Sequence, residues 1–371
     1  MAGSWKKITA ETRKAAMKRV IAIADRASLA SMKLLAALNV LAFLLFLAVV
    51  LMAASKARAD TPVCGGDDLV AELSKNNAAA YRDVEAQAAA VANGKGRLWK
   101  LEKSGQKPSF LFGTLHFSDP RVTTLPPAAQ QAFDATDTVI IETTDALDKN
   151  AMMGALAKEP NLMMFTDSTT LTSLMSPQDA EIVNKALDAR GIPPFSVAKM
   201  QPWLLSTMVA MSPCELARQG QGAPVLDTKL ARDGKAAGKA VEGLETATEQ
   251  LRAMASLPVA FHVRSLIDTL KLGDKIKDVN ETMIALYLRG EIGMIMPALK
   301  AVAPGQADDQ AGFAEFEQTI VTNRNKVMAE RAAPILARGN VFMAVGALHL
   351  PGPDGLVEDF RKAGYTVTVV N

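Results

Sequence analysis

Three histidines occur in the 371 residues, and two of them share one local pattern. Phe112-Gly113-Thr114-Leu115-His116 and Val345-Gly346-Ala347-Leu348-His349 both read apolar-Gly-x-Leu-His, each closing an apolar run that resembles a strand. Two acids occupy similar places: Glu142 ends Thr138–Ile141, and Glu245 ends Lys239–Leu244. Ligands of open α/β sheets gather at the carboxyl ends of strands, so four titratable groups at four such ends point to one site. Two imidazoles with one or two carboxylates make a set for a divalent metal with a position left for water. The glycine three residues before each histidine would let the backbone turn tightly at the strand exit. The plainer alternatives are a hydrogen-bonded turn histidine and a glutamate at a helix start, which Glu245-Thr246 fits well. The recurrence of the histidine motif favours a shared site.

Arg324 adds to this. Phe313, Phe316, Ile320, Val327 and Arg331 follow three- and four-residue steps on a long helix, and Arg324 fills the gap between Ile320 and Val327. That spacing points its guanidinium with the apolar face, where it needs a carboxylate such as Glu142 or Glu245, or an anionic ligand. The alternative is a side chain that runs along the helix edge to water. His262, among Val259, Val263, Leu266 and Leu270, reads as structural, and Asp227 as a helix N-cap. Phosphate-binding Gly-rich loops, HExxH, CxxC and G-x-S-x-G are all missing. The 18 methionines do not cluster in short-spaced runs and read as core filler.

The elements that must position these residues form an α/β pattern: a mixed β-sheet core with a helical insertion. Asp67–Ala92 reads as a helix, and Arg97–Lys103 with Ser109–Leu115 as a hairpin around a Gly-containing turn. Thr138–Ile141 and Asn340–Val345 read as strands covered on both faces, and Thr366–Val370 as a last strand. Residues 146–236 are mostly helical in pattern, with repeated prolines, and 246–300 return to helix. After a loop at 303–309, a helix is expected from Gly312 to Leu336, and a shorter one from Leu356 to Lys362. Strand segments come from both ends of the chain, which predicts one exported domain over 60–371 with the 146–236 insertion as a cap.

Charge and cysteine usage address the compartment. The first 59 residues hold 10 Lys/Arg and two acids, and the remainder carries 31 bases against 37 acids. The exported part is therefore acidic, and no nucleic-acid partner is expected. A basic segment (1–33) precedes 22 uncharged residues from Leu34 to Ser55, long enough to cross a bilayer as a helix. The positive-inside bias sends the rest of the chain outward. Ala57-Arg58-Ala59 offers a signal-peptidase pattern, so residues 34–55 act as a signal peptide or as a retained inner-membrane anchor. Either way the globular part is expected to be periplasmic. Both cysteines, Cys64 and Cys214, lie in that part and are expected to be bridged, worth about 4–5 kcal/mol for so long a loop, the alternative being two buried thiols.

The chain also resembles the TraB/GumN family, which includes the TIKI proteins. The residues that carry the likeness are Leu111–His116, Val139–Glu142, Gly243-Leu244-Glu245-Thr246 with Gln250, Arg324-Asn325, and Val345–Leu350 with Gly352, Gly355 and Gly364-Tyr365. The resemblance implies an α/β fold related to erythromycin-esterase and haem-binding ChaN-like proteins. It also implies metal-dependent proteolysis through His116, His349 and Glu142, with Glu245 and Arg324 as neighbours and a peptide or protein as substrate. The expected cofactor is a divalent ion (Mn, Co or Zn) held by His116, Glu142 and His349. Two other readings stand beside it: a binding protein for haem, a peptide or a glycan precursor, and a hydrolase using His116 as a metal-free base.

Overall fold

The computed structural model describes residues 64–302 and 310–370. The basic segment 1–33, the apolar run 34–55 and the cleavage pattern at 57–59 lie outside the described residues, as does the loop 303–309. Among the described residues, no helix is long and apolar enough to cross a membrane.

Among the described residues, six strands build one mixed sheet: β1 (Leu98–Glu102), β2 (Ser109–Thr114), β3 (Thr138–Ile141), β4 (Ala240–Gly243), β5 (Val341–Gly346) and β6 (Thr366–Val370). They run in the order β4-β3-β5-β2-β1-β6. The hairpin expected at 97–115 is present, with β1 antiparallel to β2, and β6 joins antiparallel on the far side of β1. The other four, β4, β3, β5 and β2, are mutually parallel, so their carboxyl ends share one edge. Those ends lead directly into Glu245, Glu142, His349 and His116.

Alternation along each strand divides the core between the two faces. Leu98, Phe112, Val139, Ile141, Phe342 and Ala344 pack with Leu226, Leu230, Phe133 and Tyr287 on one face. Trp99, Leu111, Ile140, Met343 and Val345 pack with Met328, Leu336 and Phe360 on the other. The central β5 is buried on both sides, as its uninterrupted apolar sequence requires. A third core, in which Val183, Leu187, Leu205, Leu266 and Leu270 meet, joins helices from before β4 to the helix Val259–Lys271 after it.

Two helices differ from expectation. Asp67–Ala92 is split into Leu69–Asn76 and Ala78–Ala89, because Asn77 leaves the helical region (φ −148°, ψ 77°) and its side chain caps the second helix at Ala80 N, 3.1 Å away. The helix expected over 312–336 contains a π-helical turn, Glu317–Thr322, between Gln310–Phe316 and Asn323–Leu336. The wider turn shifts the helical phase. The buried stripe then runs through Asn325, Met328, Ala332 and Ile335, while Arg331, expected on the apolar face, is exposed and pairs with Glu249.

Candidate functional site

Backbone pairing sets the positions first. Glu245 N donates to the Glu142 carbonyl at 2.7 Å, which fixes the two carboxylates as neighbours at the ends of β3 and β4. On the other side of β3, the register of β2 and β5 aligns Gly113 with Val345 and Thr114 with Gly346. The two histidine motifs are therefore offset by one residue, and equivalent positions face opposite sides of the sheet. Phe112 packs in one core and Val345 in the other. The sequence echo thus does not place its histidines identically: the His116 side chain is 61% exposed, whereas that of His349 is 7% exposed.

Nor do the motif glycines serve by adopting left-handed backbone; neither belongs to the glycines with positive φ. They serve by leaving space. A Cβ on Gly113 would lie 3.0 Å from the Ala347 backbone. One on Gly346 would lie 3.1 Å from Oε1 of Glu142, 3.4 Å from the His349 ring and 3.5 Å from Nε2 of His116. Gly346 is the floor of a small hollow on which two imidazoles and a carboxylate converge.

Glu142 is the hub. Its Oε1 accepts the Gly346 N–H at 2.7 Å and stands 3.9 Å from Nε2 of both His116 and His349. Its Oε2 accepts from Arg324 Nη2 at 2.7 Å and from Gln250 at 2.9 Å. Burial alone would push this carboxyl up, but the two imidazoles, Arg324 and the Gly346 N–H outweigh it and lower its pKa to about 2.

Arg324, 14% exposed at the side chain, turns inward just after the π-helical turn. The same Nη2 that binds Glu142 reaches Glu245 at 2.7 Å, and Nε contacts both Glu245 oxygens at 3.1 Å. One guanidinium thereby holds together two buried acids that would otherwise repel. Gln250, on the helix Ala247–Ala255, bridges the same pair. The capping box of Thr246 and Glu249 starts that helix, so the expected helix-start role belongs to Thr246 and leaves Glu245 to Arg324.

The imidazoles have different partners. His349 Nδ1 meets Asn325 Oδ1 at 2.7 Å, and burial lowers the His349 pKa to about 4. His116 Nδ1 meets Asp227 Oδ2 at 2.9 Å, and that carboxylate raises the His116 pKa to about 9, with water on the open face of the ring screening part of the attraction. Asp227 is not an N-cap: Val225 holds that position, and the Asp227 side chain leaves the helix Leu226–Ala236 to reach His116. Nothing in local spacing marks a partner 111 residues away. Gln250 and Asn325 appear among the family-like residues, but their contacts likewise depend on tertiary neighbours. His262 lies apart, with Nε2 on the Met254 carbonyl at 2.9 Å.

A cavity of about 290 Å³ opens beside this cluster. His116, Glu142, Asp227 and Gln250 supply its polar wall, and Leu147 and Val225 supply apolar surface. Glu245, Arg324 and His349 are not among its lining residues. The loop after His116 is anchored by Ser118 N on the buried Glu215, at 2.6 Å, and by buried Asp119, which binds Arg121 and Arg218. Glu215 adjoins Cys214, which is bridged to Cys64 with a Cα separation of 5.4 Å.

Three carboxylates (Glu142, Glu245, Asp227) share the cluster with one guanidinium, so even with His116 protonated one negative charge remains to be balanced. His116, Glu142 and Asp227 also offer donor atoms within 4.8 Å of one another. Charge and donor types thus fit a divalent cation.

The model of the TraB/PrgY/gumN family matches residues 97–369. The chain belongs to that family. Relatives include Metalloprotease TIKI2 of Danio rerio, 22% identical over 324 residues that cover 73% of this chain and 60% of that protein. Metalloprotease TIKI1 of Danio rerio is 23% identical over 315 residues, covering 73% of this chain and 62% of that protein. Metalloprotease TIKI homolog of Amphimedon queenslandica is 28% identical over 184 residues, 44% of this chain and 36% of that protein. The chain thus spans less than two thirds of the length of these relatives. No solved structure matches this chain.

Proposed function

We propose that this protein is a metal-dependent hydrolase of peptide bonds, with His116 Nε2, Glu142 Oε1 and His349 Nε2 as the protein's ligands and the periplasm as its place of action. The observation that carries the reading is the convergence of both Nε2 atoms, each 3.9 Å from the same Glu142 oxygen, over a glycine whose missing side chain leaves the space between them. The names of the TIKI relatives support the reaction class. Bound there, a divalent ion (Mn, Co or Zn) would polarise a carbonyl and lower the pKa of water.

The chain's own groups supply the rest. Arg324 holds Glu142 ionised and oriented, and Glu245, engaged on both oxygens, anchors Arg324. His116 is the cluster's solvent-facing imidazole and lines the cavity, so an ion held at its Nε2 would be open to a reactant there. Leu147 and Val225 offer an apolar wall for a substrate side chain.

Protein purified without chelator should carry near-stoichiometric Mn, Co or Zn by elemental analysis and cleave members of a peptide library, with cleavage abolished by EDTA. His349→Ala should remove both the metal and the cleavage. Full activity in His349→Ala would overturn the assignment.

A further inference from the structure

Asp227 and Asn325 occupy matching places around the two imidazoles, although no sequence pattern relates them. Each accepts at Nδ1 on the outer side of a ring, at 2.9 Å for His116 and 2.7 Å for His349. Each is itself fixed. Asp227 Oδ1 receives the Thr114 hydroxyl at 2.6 Å, from the last residue of β2. Asn325 Nδ2 donates to the Asp354 carbonyl at 2.8 Å, which orients the amide so that its oxygen, an acceptor only, faces His349.

Two acceptors at the two Nδ1 positions require an N–H there and leave the lone pairs at Nε2, the atoms that face Glu142. We infer that Asp227 and Asn325 are a pair of positioning residues that lock both imidazoles as Nδ1–H tautomers, so that both Nε2 lone pairs are turned to the Glu142 side, where that of His349 accepts from Arg324 Nη1 at 3.3 Å. The two sides are unequal: a carboxylate backs the exposed ring and a neutral amide the buried one. A carboxylate behind an imidazole strengthens its other nitrogen as a ligand, so Asp227 makes His116 the stronger donor of the two.

The affinity part of the test rests on the metal-dependent reading; the tautomer part does not. With three histidines in the chain, 15N spectra of full-length metal-free protein are assignable by single substitutions. At a pH where both rings are neutral, His116 and His349 should each show the Nδ1–H pattern, and Asp227→Leu should move His116 toward Nε2–H. Asp227→Asn keeps an acceptor oxygen but removes its charge. It should weaken Mn2+ binding, read by titration calorimetry, about 10- to 100-fold while leaving the melting temperature nearly unchanged. Thr114→Val should shift affinity in the same direction by less.

An Nε2–H pattern at His116 in the unsubstituted protein would overturn the inference. So would unchanged Mn2+ affinity in Asp227→Asn, or a loss as complete as in His116→Ala, which would make Asp227 a ligand itself. Should the unsubstituted protein bind no Mn2+, the metal reading fails on its own, and the tautomer spectra still decide the positioning role.

Discussion

At the scale of single residues the site is a balance of buried charge. Arg324 offsets Glu142 and Glu245 together, and removing one partner of a buried ion group leaves an uncompensated charge at a cost of about 3–5 kcal/mol. Arg324→Leu should lower unfolding stability in urea by about that amount, and adding Glu245→Gln should restore part of it; independent, additive losses would show that the pair is not coupled. His349 gives the pH dependence. Its folded pKa of about 4 lies below the ordinary 6.5, so between these values the unfolded chain binds a proton that the folded one does not. Stability of the metal-free protein should therefore be flat for this group above 6.5 and fall toward pH 4, with a slope of at most about 1.4 kcal/mol per pH unit. His349→Gln should flatten that part of the curve in denaturation series at several pH values. Burial lowers the His262 pKa as well, and its effect has the same sign.

At the scale of elements, the strands were readable, whereas helical phase and the role of the motif glycines were not. Thr138–Ile141 and Thr366–Val370 fall where their apolar and β-branched runs place them, because such runs satisfy the sheet locally. The π-helical turn at 317–322 has no comparable signature, and it moved the buried stripe to Asn325 and Met328. The two histidine motifs look equivalent as words, but a one-residue offset between β2 and β5 turns them to opposite faces. Gly346→Ala tests what that arrangement leaves open. Its Cβ would press on the Glu142 carboxylate rather than on backbone, so the protein should fold with a melting temperature within a few degrees of normal while metal affinity falls at least tenfold. Gly113→Ala, which meets the Ala347 backbone, should instead lower the melting temperature. Equal metal binding by Gly346→Ala and the unsubstituted protein would mean that the hollow is not where the ion sits.

At the scale of the whole molecule, the Cys64–Cys214 bridge spans 150 residues and ends on the helix whose Glu215 holds the loop after His116. The double substitution to serine should cost about 5 kcal/mol of unfolding free energy in the chain-entropy description. It should also raise hydrogen exchange in residues 116–119 ahead of the sheet core; uniform exchange would show that the bridge stabilises without steadying the site. The amino-acid sequence by itself determined which residue types stand at the carboxyl ends of strands, that the fold is a mixed α/β sheet, and that an inward-facing arginine needed acids. These follow from periodicity and from the cost of burying charge, both local properties of a chain. Only the tertiary structure decided that Asp227 serves His116, that Asn325 serves His349, and that one imidazole is open while the other is enclosed. Those outcomes depend on strand order, register and helical phase, and contacts between residues 24 and 111 positions apart leave no spacing in the sequence from which to read them.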